Sequence, residues 1–197
     1  MKTCIFITGT NAVGKSALAW ALIERFGGVN RITNDVTYCA EGSVCLAGKY
    51  GVTRFGGVDR ITNENGASCT SRLADVVEEG LRNADTIICE GSFMNTFGLN
   101  LTNAMFKAER YLPVSLWTDT KTIYDRLTSR SNGKYGSGKR NFHQIISKQK
   151  QAMIAARKWH SIGVKVLQFN TAEKTIEEEL TAVLKAIGKE DYCHDDK

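Results

Sequence analysis

Apolar and polar positions in this chain repeat with two periods, and the switches between them mark its elements. Cys4-Ile5-Phe6-Ile7 is a short, β-prone apolar run, and after it Leu18, Ala21, Leu22 and Phe26 recur at helical spacing. Gly27 follows directly, where a helix can take a left-handed cap. Val29 to Asn34 predicts a second strand that delivers Asp35 at its C-terminal end. Periodicity then lapses over 37–69, which is rich in Gly, Ser, Thr and Asn. It returns with Leu73, Val76, Val77 and Leu81, predicting a helix from Thr70 to Arg82, and with the strand Thr86-Ile87-Ile88-Cys89 that ends in Glu90-Gly91. Leu112, Val114 and Leu116 alternate in a further strand, and its Pro113 favours a strand start or an edge position. Asp119 can cap a helix that turns Ile123 and Leu127 inward. Phe142, Ile145, Ile146, Met153 and Ala156 mark a long helix; Val164, Val166 and Phe169 a last strand; Ile176, Leu180, Val183, Leu184 and Ile187 a last amphipathic helix.

Strands alternating with helices imply a three-layer α/β domain around a mainly parallel, five-stranded sheet. With 197 residues the chain can bury one good core and is short for two. Residues 1–189 are therefore expected to form a single domain, with 37–69 an insertion, 129–141 a lid and 190–197 a flexible tail. No apolar run is long enough to span a membrane, and no charged-then-apolar leader opens the sequence. The expectation is a cytoplasmic protein with no membrane partner. The six cysteines contain no C-x-x-C pair, which favours buried free thiols over a zinc site.

Between the first strand and first helix stands Gly9-Thr10-Asn11-Ala12-Val13-Gly14-Lys15-Ser16, a match to the phosphate-binding pattern G-x-x-x-x-G-K-[ST] with both flanks correct. Such a junction suits a nucleoside triphosphate. Glycines let the backbone approach, successive N–H groups through Ala17 and the helix N-terminus face the anion, and Lys15 adds a point charge. Ser16 would hold Mg²⁺, and Glu90, at the end of its strand, is placed to serve the same ion from the other side. Many ATPases of this type set a second acid beside that carboxylate to activate water. Here Cys89 and Gly91 flank Glu90, which suits a bound acceptor better than hydrolysis.

Two aspartates are candidate bases for an acceptor hydroxyl. Asp35 lies at the end of a strand, where open α/β sheets carry ligands; a plain turn carboxylate is the equal alternative. Asp59 lies in a near-repeat: Phe26-Gly27-Gly28-Val29-Asn30-Arg31-Ile32-Thr33-Asn34 recurs as Phe55-Gly56-Gly57-Val58-Asp59-Arg60-Ile61-Thr62-Asn63. One echo does not make a solenoid. Local duplication, or convergence on one turn-then-strand solution, accounts for it. A sharper reading makes Lys49 to Arg60 an acceptor-binding insertion, with Tyr50 or Phe55 to stack a base and Arg54 and Arg60 for phosphate; aromatics in a glycine-rich stretch also serve as plain packing anchors, which is the alternative.

The net charge of +5 is unevenly placed. Eleven Lys/Arg lie between Lys121 and Lys165 against one acid, Asp125, so the excess positive charge belongs to one region that would attract a polyanion. Within it Arg126 and Arg130 stand one helical turn apart. Arg130, Lys134, Lys139 and Arg140, interspersed with Gly133, Gly136 and Gly138, read as a basic lid that would close over the transferring phosphoryl group.

The loop Gly9 to Ser16, the Glu90-Gly91 strand end and the arginine-bearing lid together resemble the small P-loop kinases that act on nucleosides and nucleotides, the thymidylate kinase-like group. The resemblance implies ATP and Mg²⁺, with Lys15 and Ser16 as phosphate and metal ligands, Glu90 as the metal-side carboxylate, Arg126 and Arg130 as lid residues and Asp35 in the place of the base. Thymidylate kinase carries an Asp-Arg-Tyr stretch where this chain has Glu90-Gly91-Ser92. Compact length, the Gly56-Gly57-Val58-Asp59 stretch and the basic half look similar to viral 5-hydroxymethyluracil DNA kinases. That narrower likeness implies a bacteriophage DNA-modifying enzyme working in the host cytoplasm on DNA that contains a modified base. A kinase for a free nucleoside or nucleotide, and an ATPase or switch module, are the alternatives. The acceptor and the oligomeric state are not legible.

Overall fold

In the computed structural model, residues 1–51, 56–61, 70–95, 98–130 and 139–193 are described. The buried run at the N-terminus forms β1 (Thr3–Thr8), every residue of which is buried. Its side chains alternate between two cores. Cys4 and Phe6 pack on one face of the sheet with helices α2 (Leu73–Asn83) and α3 (Leu99–Met105) and with Trp159 of α5 (Lys139–Ser161). Ile5 and Ile7 pack on the other with α1 (Lys15–Arg25) and α6 (Ile176–Ala186). This two-sided burial is what a continuous apolar strand in a parallel sheet requires.

The sheet has seven strands rather than the expected five, in the order β2-β3-β4-β5-β1-β6-β7. The two unforeseen ones are β3 (Val36–Cys39) and β4 (Val44–Ala47), both inside the stretch predicted as an insertion. Each is four residues long and wholly buried, too short to show a period. A two-residue turn, Asn34-Asp35, joins β2 (Val29–Thr33) to β3, with Asn34 at φ 53°. Asparagine tolerates that left-handed conformation, as hairpin turns demand. Strand β3 is antiparallel to both neighbours, whereas β4, β5 (Thr86–Glu90), β1, β6 (Arg110–Trp117) and β7 (Leu167–Asn170) run parallel. Their C-terminal ends share one rim, and the candidate residues gather there.

The nine-residue echo does not produce one solution twice. Its first copy ends α1 and becomes an exposed edge strand: Gly28 N–H donates to the Ile23 carbonyl and Gly27 N–H to that of Glu24, the double closure of a Schellman cap, and β2 follows. Its second copy buries Val58 and Ile61 around a 3₁₀ turn, Val58–Arg60. Core contacts, not local sequence, decide between strand and turn.

Pro113 lies inside β6, paired with Phe6 on β1, but β7 begins to pair one residue later, at Val114. At the proline β6 is thus a local edge. Asp119 Oδ1 accepts the Thr122 N–H at 2.9 Å and so caps α4 (Thr120–Arg130) as expected. Ile123 and Leu127 of that helix cover Ala12 of the loop together with Ile145. The last strand starts at Leu167, so Val164 and Val166 precede it, and Met153 of α5 faces solvent rather than the core. Of the predicted tail, 194–197 lies outside the described residues, while Tyr192 packs its ring 4.8 Å from that of Phe26. Cys4, Cys39, Cys45 and Cys89 are buried free thiols, and burial pushes Cys39 up to about 12. Among the described residues no helix is long and apolar enough to cross a membrane.

Candidate functional site

Strand β1 ends at Thr8, and the loop that starts with Gly9 reverses through Ala12 at φ 60° and Gly14 at φ 108° before α1 begins at Lys15. Gly9 cannot be replaced: a Cβ there would lie 2.6 Å from the Leu116 carbonyl oxygen. No side chain caps α1, so its first N–H groups stay available to an anion. Lys15 is buried and donates to the Thr10 carbonyl at 2.8 Å, folding back across the loop. Among the described residues the buried Thr10 hydroxyl has no hydrogen-bond partner, an unmet polar atom inside the loop. The motif residues Gly9, Thr10, Asn11, Ala12, Val13, Gly14, Lys15 and Ser16, with Ala17 behind them, thus occupy the strand-to-helix turn that the pattern predicts.

Strand β5 pairs with β1 in a register that sets Glu90 opposite Ile7, two residues short of Gly9. Its carboxylate is buried, and its Oε1 accepts from the Ser16 hydroxyl at 3.1 Å and from the Tyr50 phenol at 3.0 Å. Burial raises the Glu90 pKa, while Lys15, Tyr50 and Ser16 oppose that rise. Burial also lowers that of Lys15; Glu90 and Asp59 counter it, and the positive charges of Lys148 and Arg130 add to it. Glu90, Asp59, Lys148 and Arg130 therefore all act on the Lys15 ammonium. Ser16 and Glu90 offer hard oxygen donors side by side, the chemistry Mg²⁺ takes.

The two candidate bases stand apart. Asp59, carried on the 3₁₀ turn, accepts the Ser92 N–H at 2.8 Å, and a Cβ on Gly91 would lie 3.0 Å from its other oxygen, so it packs against the end of β5. Asp35 lies at the outer part of the rim, three strands from β1. It is buried and held by Arg72 at 3.0 Å and Lys49 at 3.5 Å.

The arginines part company too. Arg126 gives one nitrogen to the Thr171 carbonyl at 2.8 Å and the other to the Thr171 hydroxyl at 2.9 Å, with the Ala12 carbonyl at 3.4 Å. It fastens the loop after β7 to the Gly9–Ser16 loop. Arg130 ends α4; of the predicted lid, 129–141, residues 131–138 lie outside the described residues, as do the side chains of Lys139 and Arg140, while the backbone from Lys139 already belongs to α5.

Tyr50 does not stand ready to stack a base. It is fully buried, with its ring edge-on to Trp20 at 5.7 Å and its hydroxyl on Glu90, and burial raises its pKa well above the ordinary phenol value, so it remains a proton donor. Arg54 and Phe55 fall outside the described residues. Three contributors carried no sequence signal: Tyr50 as a support of Glu90, Lys148, and the 3₁₀ turn Ser92–Asn95. That turn binds the loop twice, through Ser92 Oγ to Asn11 Oδ1 at 3.1 Å and through Asn95 to Gly9. Glu90-Gly91-Ser92 marked the position, but nothing in the sequence pairs it with Gly9 across eighty residues of chain.

This architecture is similar to that of the YorR protein from Bacillus subtilis, whose crystal structure is of a complex with phosphorylated GDP. The two chains share 14% sequence identity, the match covers 97% of this chain and 99% of that one, and the TM-score is 0.59. At that identity the likeness is one of fold. No protein-family model matches the chain, and no curated protein does.

Proposed function

We propose that this chain is an ATP-dependent phosphotransferase that moves the γ-phosphoryl group to a hydroxyl acceptor. The observation that carries this reading is the half-buried Ser16–Glu90 contact at the mouth of the Gly9–Ser16 loop, with the Asp59 carboxylate packed against the same strand end. The nucleotide in the YorR complex supports a nucleotide site on this fold.

The loop N–H groups and the N-terminus of α1 hold the phosphates, and Lys15 exchanges the Thr10 carbonyl for a phosphate oxygen. Ser16 and Glu90 hold Mg²⁺, which supplies charge neutralisation at the phosphates when bound. Arg130 and Lys148 add positive charge where the transferring group becomes more exposed as an anion. Asp59 is our first choice of base: it takes the proton from the acceptor hydroxyl as that oxygen bonds to the γ-phosphorus and ADP leaves. Asp35 is the second and the weaker one, because its ion pairs with Arg72 and Lys49 already engage the carboxylate that would have to meet the acceptor hydroxyl. With Cys89 turned into the core and Gly91 following, Glu90 has no acidic neighbour in its strand to activate water, which favours a kinase over an ATPase or switch module.

For the acceptor we propose the 5-hydroxymethyl group of 5-hydroxymethyluracil within DNA, the substrate of a bacteriophage DNA-modification enzyme. Support comes from the placement of charge: Lys150, Arg157 and Lys158 of α5 and Lys165 beyond it are exposed. The second reading is a kinase for free nucleosides or nucleoside monophosphates, favoured by Arg72 and Lys49 at the rim, which could meet an acceptor phosphate.

A panel of acceptors separates them: thymidine and 5-hydroxymethyldeoxyuridine with their monophosphates, ordinary DNA, and DNA containing 5-hydroxymethyluracil. The DNA reading predicts label from γ-labelled ATP on the modified base of the polymer. It also predicts DNA binding whose log affinity falls by about 0.7 to 0.9 per phosphate contact with log salt. Label in monomers alone makes this a nucleotide-pool enzyme.

A further inference from the structure

The segment after β4 was expected to meet the acceptor, yet its central side chain turns inward. Tyr50 is fully buried, and its backbone N–H donates to Thr37 Oγ1 at 2.9 Å while the same hydroxyl donates to the Gly48 carbonyl at 2.7 Å. Gly48 in turn sits so close to Gly56 that a Cβ on it would lie 1.6 Å from the Gly56 oxygen. The backbone is therefore pinned at Tyr50 and at Gly48 before it, and the ring lies edge-on to Trp20 of α1. A phenylalanine would fill that space. Among the described residues, what the hydroxyl adds is a 3.0 Å hydrogen bond to Glu90 Oε1.

Glu90 needs such a constraint. Ser16 reaches it from the loop, and Gly57 faces it from the second copy of the echo, where a Cβ would fall 2.5 Å from the same Oε1 and 2.4 Å from the Glu90 carbonyl oxygen. Gly57 has φ −64°, which any residue adopts, so contact with Glu90 and not backbone conformation calls for glycine there. The carboxylate is thus set by a hydroxyl from the loop, a phenol from behind and a bare backbone beside it.

We infer that Tyr50 is a positioning residue: through its hydrogen bond it fixes the Glu90 carboxylate in the orientation in which, with Ser16, it receives Mg²⁺. This rests on the proposed phosphate site. It also gives Tyr50 and Gly57 a shared task, completing the metal side of the site around Glu90. Partners that orient a metal-binding carboxylate typically matter by about 10–100-fold in metal affinity when removed.

The test is a Mg²⁺ titration of the full-length protein with a fluorescent ATP analogue, comparing wild type, Tyr50→Phe, Gly57→Ala and Glu90→Gln, with binding in EDTA and thermal unfolding recorded for each. Tyr50→Phe is expected to raise the Mg²⁺ concentration for half-maximal nucleotide binding by about tenfold, leaving binding in EDTA and the unfolding midpoint close to wild type. Gly57→Ala, which presses on the same carboxylate, is expected to shift the Mg²⁺ midpoint in the same direction. If Glu90→Gln shifts the midpoint and Tyr50→Phe does not, Tyr50 is packing and the inference is overturned. If Glu90→Gln also leaves it unmoved, the metal site itself is misassigned and the inference falls with it.

Discussion

The side-chain amide of Asn95 grips Gly9 from both sides: the Gly9 N–H donates to Oδ1 at 2.9 Å and Nδ2 donates to the Gly9 carbonyl at 3.0 Å. All these groups are buried. A single residue of the turn after β5 thereby satisfies both backbone groups of Gly9, the first glycine of the G-x-x-x-x-G-K-[ST] motif.

Asn95→Ala removes both bonds and strands a buried N–H and C=O, each costing about 1–3 kcal/mol when unpaired. The expected result is a loss of about 2 kcal/mol or more in denaturant unfolding without ligand, together with weaker ATP binding. An unchanged unfolding free energy would show that water replaces the amide without penalty.

Asp59→Asn and Asp35→Asn should fail differently. The first is expected to lower kcat by about 10²-fold or more while leaving ATP affinity in place. Asparagine at 35 gives up the charge shared by Arg72 and Lys49, so its main effect falls on stability, with less than about a tenfold change in rate per folded molecule. Kinetics at saturating ATP and urea titrations of both variants decide this; the reverse ranking would make Asp35 the base.

Arg126 and Arg130 read from sequence as a pair, and the structure commits Arg126 to contacts with Thr171 and Ala12. Arg126→Ala should destabilise the protein and weaken ATP binding, because it unfastens Thr171 from Ala12. For Arg130→Ala the expectation is a fall in kcat with little change in unfolding. Equal loss of rate without loss of stability in both would restore them to one shared role.

Glu179 is buried on α6, and burial raises its pKa to about 7, against the opposing pull of Arg126. Because the folded value lies above the unfolded one, the native state binds the extra proton; stability is fullest below the unfolded pKa and declines as pH rises through about 7. The wild type should thus gain on the order of 2 kcal/mol relative to Glu179→Gln on going from pH 8 to pH 5. Urea midpoints for both proteins at the two pH values test this, and parallel curves would refute it.

Much of this was legible because the signals were local. The loop Gly9 to Ser16, the apolar strand before it and the helix after it are contiguous, and glycine, lysine and serine stand at spacings that few other structures need. Asp119 announced its helix for the same reason. What stayed hidden depends on contacts between distant segments. Four-residue buried strands such as Val36–Cys39 carry no period, so the sheet came out two strands short. Tyr50 reads from sequence as either a base stacker or a packing anchor, because the glycine-rich stretch around it carries no period, and contacts with Trp20, Thr37 and Glu90 decide for packing. The echo misled for the same reason: identical local preference yields a strand beside β3 and a 3₁₀ turn beside β5.

The central claim is transfer to an acceptor at the Lys15–Ser16–Glu90 site, and it is tested most directly by following the label of γ-labelled ATP with Mg²⁺, in wild type and Lys15→Ala, with and without the nucleoside, nucleotide and DNA acceptors. The account predicts acceptor-bound label with wild type, little inorganic phosphate when no acceptor is present, and no transfer by a folded Lys15→Ala protein. Label released only as inorganic phosphate at a rate indifferent to every acceptor, or transfer that survives in Lys15→Ala, would contradict it.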